Sequence, residues 1–387
     1  MVEAKIQNIN WPNSKSPVRA VISGGGTGGH IYPALAIAAA LHERYAAEIL
    51  YMGAKAGLNG GLPKEQELAV AAGWEYRGVS AAGLSRRSLR ILGDIIINVR
   101  GVSEAAEILR RFAPQVVIGT GGYAMAPTLR AAASMGIPTL LHEQNAYPGW
   151  ANRYLAGKVD MICLSLDAAR PHFPARAQII LTGLPVRAEI LTTDREAAYK
   201  FFGLTAPQRL RPTLLATGGS QGARRINEAL CGCYKELLAA GLRIVHLTGE
   251  AHYEKCRAAA IGLRQENLYI LPYLKEMQYA LALADLTLAR AGASFLAETA
   301  IIGLPSILTP YPYAANDHQT LNAKAFADAG AARLITDHEL TSAAVISHSL
   351  ELLGNAKERQ RMSLAARSLA KPDALDCIIK AVNKLIK

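Results

Sequence analysis

Three glycine-rich stretches hold the residues whose types and spacing suit phosphate chemistry: Gly24-Gly-Gly-Thr-Gly-Gly-His30, Gly119-Thr-Gly-Gly-Tyr123 and Gly218-Gly-Ser-Gln-Gly222. Glycine lets a backbone turn sharply and approach a ligand closely. A helix that opens after such a turn offers free N–H groups and the positive end of its dipole to an anion. His30 closes the first stretch, where an imidazole can take a hydroxyl proton at neutral pH; its alternative role is to cap the helix that follows. The first stretch also contains Gly24-x-Gly26-x-x-Gly29, formally a dinucleotide fingerprint, which calls for an acid at the end of the second strand. Tyr51-Met-Gly-Ala-Lys55 stands there instead. A nicotinamide enzyme therefore survives only as a minor reading, with Lys55 facing a phosphorylated ribose. No stretch ends in Gly-Lys-Ser/Thr, so ATP hydrolysis is disfavoured.

These loops need a scaffold, and the chain is long enough to build one. Its 387 residues suggest two domains at about 100–200 residues each. Apolar residues make up 51% and charged residues 19%, which excludes wholesale disorder. Lys plus Arg exceed Asp plus Glu by 42 − 31 = 11, a balance that favours anionic partners such as nucleotides or phospholipid headgroups. Aromatics at 6% are thin for stacking on single-stranded bases, which weakens a nucleic-acid partner. The five cysteines show no Cys-x-x-Cys spacing, so no disulfide framework or zinc site is readable and a reducing cytosol is expected. Cys231 and Cys233 look like a soft-metal pair, but Ile226, Leu230, Cys233 and Leu237 repeat at helical spacing and place Cys233 in a core. Met1 to Pro17 lacks the apolar centre of a signal peptide, and the long uncharged run from Thr299 to Asn316 is broken by Pro305, Pro310 and Pro312. No segment is expected to span a bilayer, so any membrane is met at its surface.

Short apolar runs alternate with helix-like runs. Arg19–Ile22, Glu48–Tyr51, Gln115–Ile118 and Pro138–Leu141 read as strands buried on both faces, and the pattern restarts after Arg187 with Pro212–Ala216, Arg243–Leu247, Leu268–Leu271 and Pro305–Leu308. Helical runs fall near Ile226–Leu238, Glu276–Ala284 and Phe295–Ile302. The expected fold class is α/β: two Rossmann-like doubly wound domains facing across a deep cleft. The hinge is placed at Thr182–Arg187, giving domains 1–183 and 184–371, with a final helix, 372–387, returning to the first.

Six motifs taken together resemble one family: the first two glycine loops, His142-Glu-Gln-Asn145, Gly218-Gly-Ser-Gln-Gly-Ala223, Arg290-Ala-Gly-Ala293 and Asp317-His-Gln-Thr320. In this order, from about Val18 to Ala331, they are similar to the MurG family of peptidoglycan N-acetylglucosaminyltransferases. The resemblance implies a GT-B fold and an inverting, metal-independent hexosyltransferase with no cofactor. Its donor is UDP-GlcNAc, and its acceptor is the MurNAc 4-hydroxyl of lipid I, the undecaprenyl-diphosphate-linked MurNAc-pentapeptide. It also implies a peripheral enzyme on the cytoplasmic face of the inner membrane, serving cell-wall growth and division beside other cell-wall synthesis proteins.

Residue by residue, the resemblance makes His30 the general base and Glu143 an orienting group or alternative base. Thr27, Gly28, Gly121, Gly122 and Tyr123 would hold the acceptor diphosphate, with Thr27, Gly28 and Gly29 also near the donor. Ser220, Gln221 and Gly222 would face the UDP diphosphate, aided by Arg187, whose alternative is a hinge salt bridge. Glu298 would accept the ribose hydroxyls, against the plain reading of a solvated helix acid. The backbone at Leu274 would read uracil, Ala293 and Ser294 would lie beside the sugar and diphosphate, and His318, Gln319 and Asn145 would fix GlcNAc. His142 reads as a hydrogen-bonded structural residue.

The segment from Leu84 to Arg100 reads as a basic amphipathic helix. Leu89, Leu92, Ile95, Ile96 and Val99 form a face for the core. Leu84 and Ile91, beside Arg86, Arg87 and Arg90, form a face for an anionic membrane surface, the alternative being an ordinary solvated face. Two rivals share part of this pattern. Another GT-B transferase or a UDP-GlcNAc epimerase would keep Glu298 and the donor side but differ on the acceptor side, and a basic nucleic-acid module would need aromatics interleaved with its cations.

Overall fold

The computed structural model describes residues 18–57, 61–83, 91–263 and 265–386. They fall into two compact units. The first comprises the chain up to Gln144, Pro148–Pro185 and the segment from Asp373 onward; the second comprises Asn145–Tyr147 and Val186–Pro372.

The first unit is built on seven strands: β1 (Arg19–Ser23), β2 (Glu48–Ala54), β3 (Glu75–Val79), β4 (Val116–Gly119), β5 (Thr139–Glu143), β6 (Met161–Leu164) and β7 (Ile179–Leu181). All pair in parallel in the order β3-β2-β1-β4-β5-β6-β7. Alternate residues of β1 enter different cores. Ala20 and Ile22 join Ile37, Leu41 and Ile378, while Val21 joins Leu50, Leu109, Val117 and Leu129. Burial on both faces explains why these strands read as unbroken apolar runs. The helices α1 (Gly28–Tyr45), α2 (Lys64–Ala71), α3 (Ile91–Phe112) and α4 (Ala126–Ser134) belong to this unit. The last helix, Ala374–Ile386, packs Ile378, Ile379 and Val382 into the core that α1 lines, and Asn383 Nδ2 donates to the Tyr45 hydroxyl at 3.0 Å.

The second unit repeats the plan with β8 (Thr213–Thr217), β9 (Arg243–Leu247), β10 (Leu268–Leu271), β11 (Leu286–Ala289), β12 (Ser306–Leu308) and β13 (Ala332–Leu334), all parallel in the order β10-β9-β8-β11-β12-β13. The run expected as one helix over Ile226–Leu238 is two helices, Arg224–Cys231 and Tyr234–Ala239. They part at Gly232, where an added Cβ would lie 2.4 Å from the Ser342 hydroxyl. Glycine permits that close approach, and Cys233 ends in the core.

One expectation is corrected. Leu92, Ile95, Ile96 and Val99 are exposed by 70%, 45%, 68% and 62%, so they do not face the core. The buried residues of α3 are Gly101, Ala105 and Leu109, from its midpoint onward. Gly101 sets that docking, since a Cβ there would meet the Ser80 carbonyl at 1.8 Å. Leu84, Arg86, Arg87, Leu89 and Arg90 lie outside the described residues, and Ile91 is half-buried.

Candidate active site

In doubly wound sheets, ligands gather at the carboxyl ends of strands where the order reverses. That reversal lies between β1 and β4 in the first unit and between β8 and β11 in the second. The three glycine loops follow β1, β4 and β8, and Arg290–Gly292 follows β11.

In the first unit the loops after β1 and β4 are stitched together. Gly25 N–H donates to Gly121 O at 3.3 Å, and the Thr120 hydroxyl donates to His30 O at 2.7 Å. Gly122, at φ +85°, has no room for a side chain, because a Cβ would sit 2.1 Å from Gly25 O. His30 is the third residue of α1, and its Nδ1 lies 3.1 Å from Gly25 O and 3.2 Å from Thr27 Oγ1. A carbonyl only accepts, so Nδ1 carries the proton and the basic lone pair is on Nε2. That nitrogen lies beside Gly121, where a Cβ would stand 3.0 Å from it. Thr27, the N-cap of α1, makes no side-chain cap and no acid lies in the first turn, so the N–H groups at Gly28 and Gly29 suit an anion. Tyr123 lines the same loops, its ring carbon 3.3 Å from where a Gly26 Cβ would be.

Two residues outside the six motifs, Glu65 and Tyr51, hold this arrangement from below, together with the His142–Gln144 motif. Glu65 on α2, only 2% exposed, accepts the Gly26 N–H at 3.2 Å, and the Tyr51 hydroxyl donates to Gly24 O at 2.6 Å. In the sequence, Lys64-Glu-Gln-Glu67 reads as a solvated run, and nothing local marks Glu65 as buried. Gln144 Nε2 donates to Thr120 O at 2.6 Å and to His142 Nδ1 at 2.9 Å. His142 Nε2 donates to Gly183 O at 2.9 Å, and burial pulls this imidazole down to about 4, so it is neutral and structural. Glu143 is buried, and its Oε2 accepts from Asn152 Nδ2 at 2.6 Å and from Gly149 N at 3.2 Å. Those bonds suit an orienting group better than a base.

In the second unit, Ser220 and Gln221 are exposed on the loop after β8. Gly222, at φ +73°, lies so close to Thr248 O that a Cβ would be 2.0 Å from it. The helix Arg224–Cys231 starts without a side-chain cap or first-turn acid, and so does Ala293–Ile302 after β11, where Ala293 and Ser294 are half-buried. Glu298 is further along that helix. It is not solvated: its side chain is 13% exposed, burial raises its pKa, and Arg187 Nη2 opposes that rise from 3.2 Å. Arg187 is therefore paired with the carboxylate, and its Nη1 donates to Lys275 O at 3.4 Å. Leu274 is buried in this unit's core. His318 Nδ1 lies 2.8 Å from Ala315 O, and Gln319 Oε1 accepts from Tyr311 N at 3.0 Å. Asn322 Nδ2 donates to Asn145 Oδ1 at 3.1 Å while its Oδ1 accepts from Ala146 N at 2.8 Å.

Each unit thus presents anion-binding helix ends, with an imidazole beside those of the first and a buried carboxylate beside those of the second. Comparison with known proteins agrees in both halves. Residues 20–163 match the glycosyltransferase family 28 N-terminal domain, and residues 213–378 match the C-terminal domain. A protein of Moorella thermoacetica is 43% identical over 378 residues, covering 96% of this chain and 100% of its own. It is named UDP-N-acetylglucosamine--N-acetylmuramyl-(pentapeptide) pyrophosphoryl-undecaprenol N-acetylglucosamine transferase. Among solved structures, Acinetobacter baumannii MurG matches with a TM-score of 0.76 and 28% identity, over 95% of this chain and 100% of that one. A UDP co-structure of MnaA from S. aureus, at 13% identity and TM-score 0.64 over 95% of each chain, shares the fold alone.

Proposed function

Because the chain belongs to glycosyltransferase family 28, we propose that it is a hexosyltransferase making lipid II. It moves N-acetylglucosamine from UDP-GlcNAc to the 4-hydroxyl of MurNAc in lipid I. The observation that carries this reading is the 43% identity to the Moorella thermoacetica transferase over all of that protein's length. A shared fold would not separate it from an epimerase.

In this reading the first unit takes the acceptor. Its diphosphate lies against the N–H groups at Gly28, Gly121 and Gly122, with Thr27 and Tyr123 beside them, and His30 Nε2 takes the proton of the attacking hydroxyl. The Nδ1 bond to Gly25 O supports the role, since it holds the neutral tautomer that a base needs. The second unit takes the donor. Ser220, Gln221 and the helix after Gly222 hold the diphosphate, Glu298 the ribose, the backbone at Leu274 the uracil, and His318, Gln319 and Asn145 the sugar. Most of the catalytic gain comes from stabilising the charge that develops on departing UDP, as the anomeric carbon passes through an oxocarbenium-like state. Arg187 reaches that charge only by loosening its pairing with Glu298.

No helix among the described residues is long and apolar enough to cross a membrane. The exposed Leu92, Ile96 and Val99 of α3 support docking on a lipid surface, and Arg86, Arg87 and Arg90 just before them in the sequence supply positive charge suited to anionic headgroups. The test is transfer of labelled GlcNAc from UDP-GlcNAc to a short-chain lipid I analogue in EDTA. A β-linked disaccharide is expected. If folded protein binds UDP-GlcNAc without transferring it, the acceptor is wrong; if it does neither, the whole reading fails.

A further inference from the structure

Three metal-ligating groups with no place in the transfer reaction meet in the second unit. Cys231 ends the helix Arg224–Cys231, His246 lies on β9, and Cys256 belongs to the helix Tyr253–Ala259. One ligand atom of each lies within 4.8 Å of the others, and the two thiols hydrogen-bond each other. His246 and Cys256 are buried and Cys231 is half-buried, which leaves an approach past Cys231.

The imidazole is held in the tautomer a metal ligand needs. Asn227 Nδ2 donates to Thr248 O at 2.8 Å, which turns Asn227 Oδ1 towards His246 Nε2 at 2.9 Å. Nε2 therefore carries the proton and Nδ1 the lone pair. Nδ1 faces the Tyr234 hydroxyl at 2.5 Å, and that hydroxyl lies 3.6 Å from Cys231 Sγ. An outer amide that fixes the ring tautomer and leaves the other nitrogen its lone pair is the support a metal-bound histidine commonly has.

We propose that Cys231, Cys256 and Nδ1 of His246 form a site for a thiophilic divalent cation of the zinc class. Soft sulfur with imidazole selects such ions over magnesium or calcium. Zn–S bonds of about 2.3 Å in tetrahedral geometry set the sulfurs about 3.8 Å apart, so the ligands close by about 1 Å or less through side-chain rotation. Binding sends both thiol protons to solvent and breaks the hydrogen bond from Tyr234 to Nδ1. A water fills the fourth position, the Tyr234 hydroxyl turning away from Nδ1. The ion would tie the helix behind the Gly218–Gly222 loop to β9 and to the next helix, and it enters no catalytic step. The proposal does not rest on the transfer reaction.

Full-length protein, reduced with a phosphine and titrated with Co(II), should show thiolate-to-cobalt charge-transfer and tetrahedral d–d bands saturating at one equivalent. Zn(II) should abolish them. Cys231→Ser and Cys256→Ser should lose them, whereas Cys163→Ser and Cys377→Ser should keep them. Tyr234→Phe, freed of the competing hydroxyl, should bind at least as tightly. Should Cys256→Ser fold poorly, protection of Cys231 from iodoacetamide by Zn(II) in the wild-type protein replaces it. Overturning results are no bands in the reduced protein, bands that survive both serine variants, or no protection. A pair that closes only as a disulfide would give the first of these.

Discussion

Replacing Arg187 by alanine tests the electrostatics of the second unit. Arg187 and Glu298 lie 3.2 Å apart with side-chain exposures of 42% and 13%. Breaking a fully buried pair costs about 3–5 kcal/mol and an exposed one about 0–1. A buried carboxylate facing a half-exposed guanidinium falls between, at about 1–2 kcal/mol after solvent screening. That amounts to a further rise of about one pH unit in the Glu298 pKa. Burial already raises this pKa above 4.5, and Arg187 restrains it. A raised carboxyl favours the folded state when protonated, and that advantage is lost as pH rises through the folded pKa. Below the wild-type folded pKa, Glu298 is neutral in both proteins and the variant's deficit vanishes. The deficit opens as pH rises through that value and levels off above the variant's own.

The chain itself supplies a readout. Its tryptophans are Trp11, Trp74 and Trp150, none of them between Val186 and Pro372. Urea unfolding followed by tryptophan fluorescence should therefore be nearly unchanged, while the far-UV circular dichroism transition moves. In Glu298→Gln, adding Arg187→Ala should cost less than about 0.5 kcal/mol, an ordinary surface change. A deficit of equal size from pH 4 to pH 8, or one that persists in the Glu298→Gln background, would refute the argument.

His30→Ala should lower kcat by about 10²–10⁴-fold, the usual worth of a general base, with UDP affinity within twofold by calorimetry; near-normal turnover removes His30 as the base. Gly122→Ala should destabilise the first unit by about 2–5 kcal/mol, since alanine would combine a φ +85° backbone with a clash against Gly25 O, and tryptophan fluorescence would report it. Changing Leu92, Ile96 and Val99 together to serine should weaken sedimentation with anionic vesicles by tenfold or more. The same variant should leave transfer to a short-chain soluble acceptor unchanged; unaltered vesicle binding would sink the membrane role of α3.

Local sequence carries the buried strands and the glycine loops. Arg19–Ile22 or Arg243–Leu247 needs only its own apolar run to declare a doubly buried strand, and a glycine loop declares itself by composition. β3 carries no such signal, because Glu75-Tyr-Arg-Gly-Val79 is half-exposed and holds two charges. β6, β7, β11 and β13 are three or four residues long and are not declared by their local pattern; β4, β10 and β12 are as short and are, so it is pairing in the sheet that defines the former. The exposed side of α3 is likewise not legible in the sequence. A helical wheel finds an apolar face but cannot say whether anything covers it, and here Gly101 docks the helix only from its midpoint onward.

The sequence alone settled the family, the doubly wound class and the loops that meet anions, because six motifs in order are more specific than any one site and each motif is a continuous stretch. Only the tertiary structure decided which side chains answer one another. Glu65 under the first glycine loop, Arg187 on Glu298, and Cys231 beside Cys256 and His246 join residues that no local pattern couples. Packing brings them together after the sheets have formed, and burial then gives each its charge state, its tautomer or its partner.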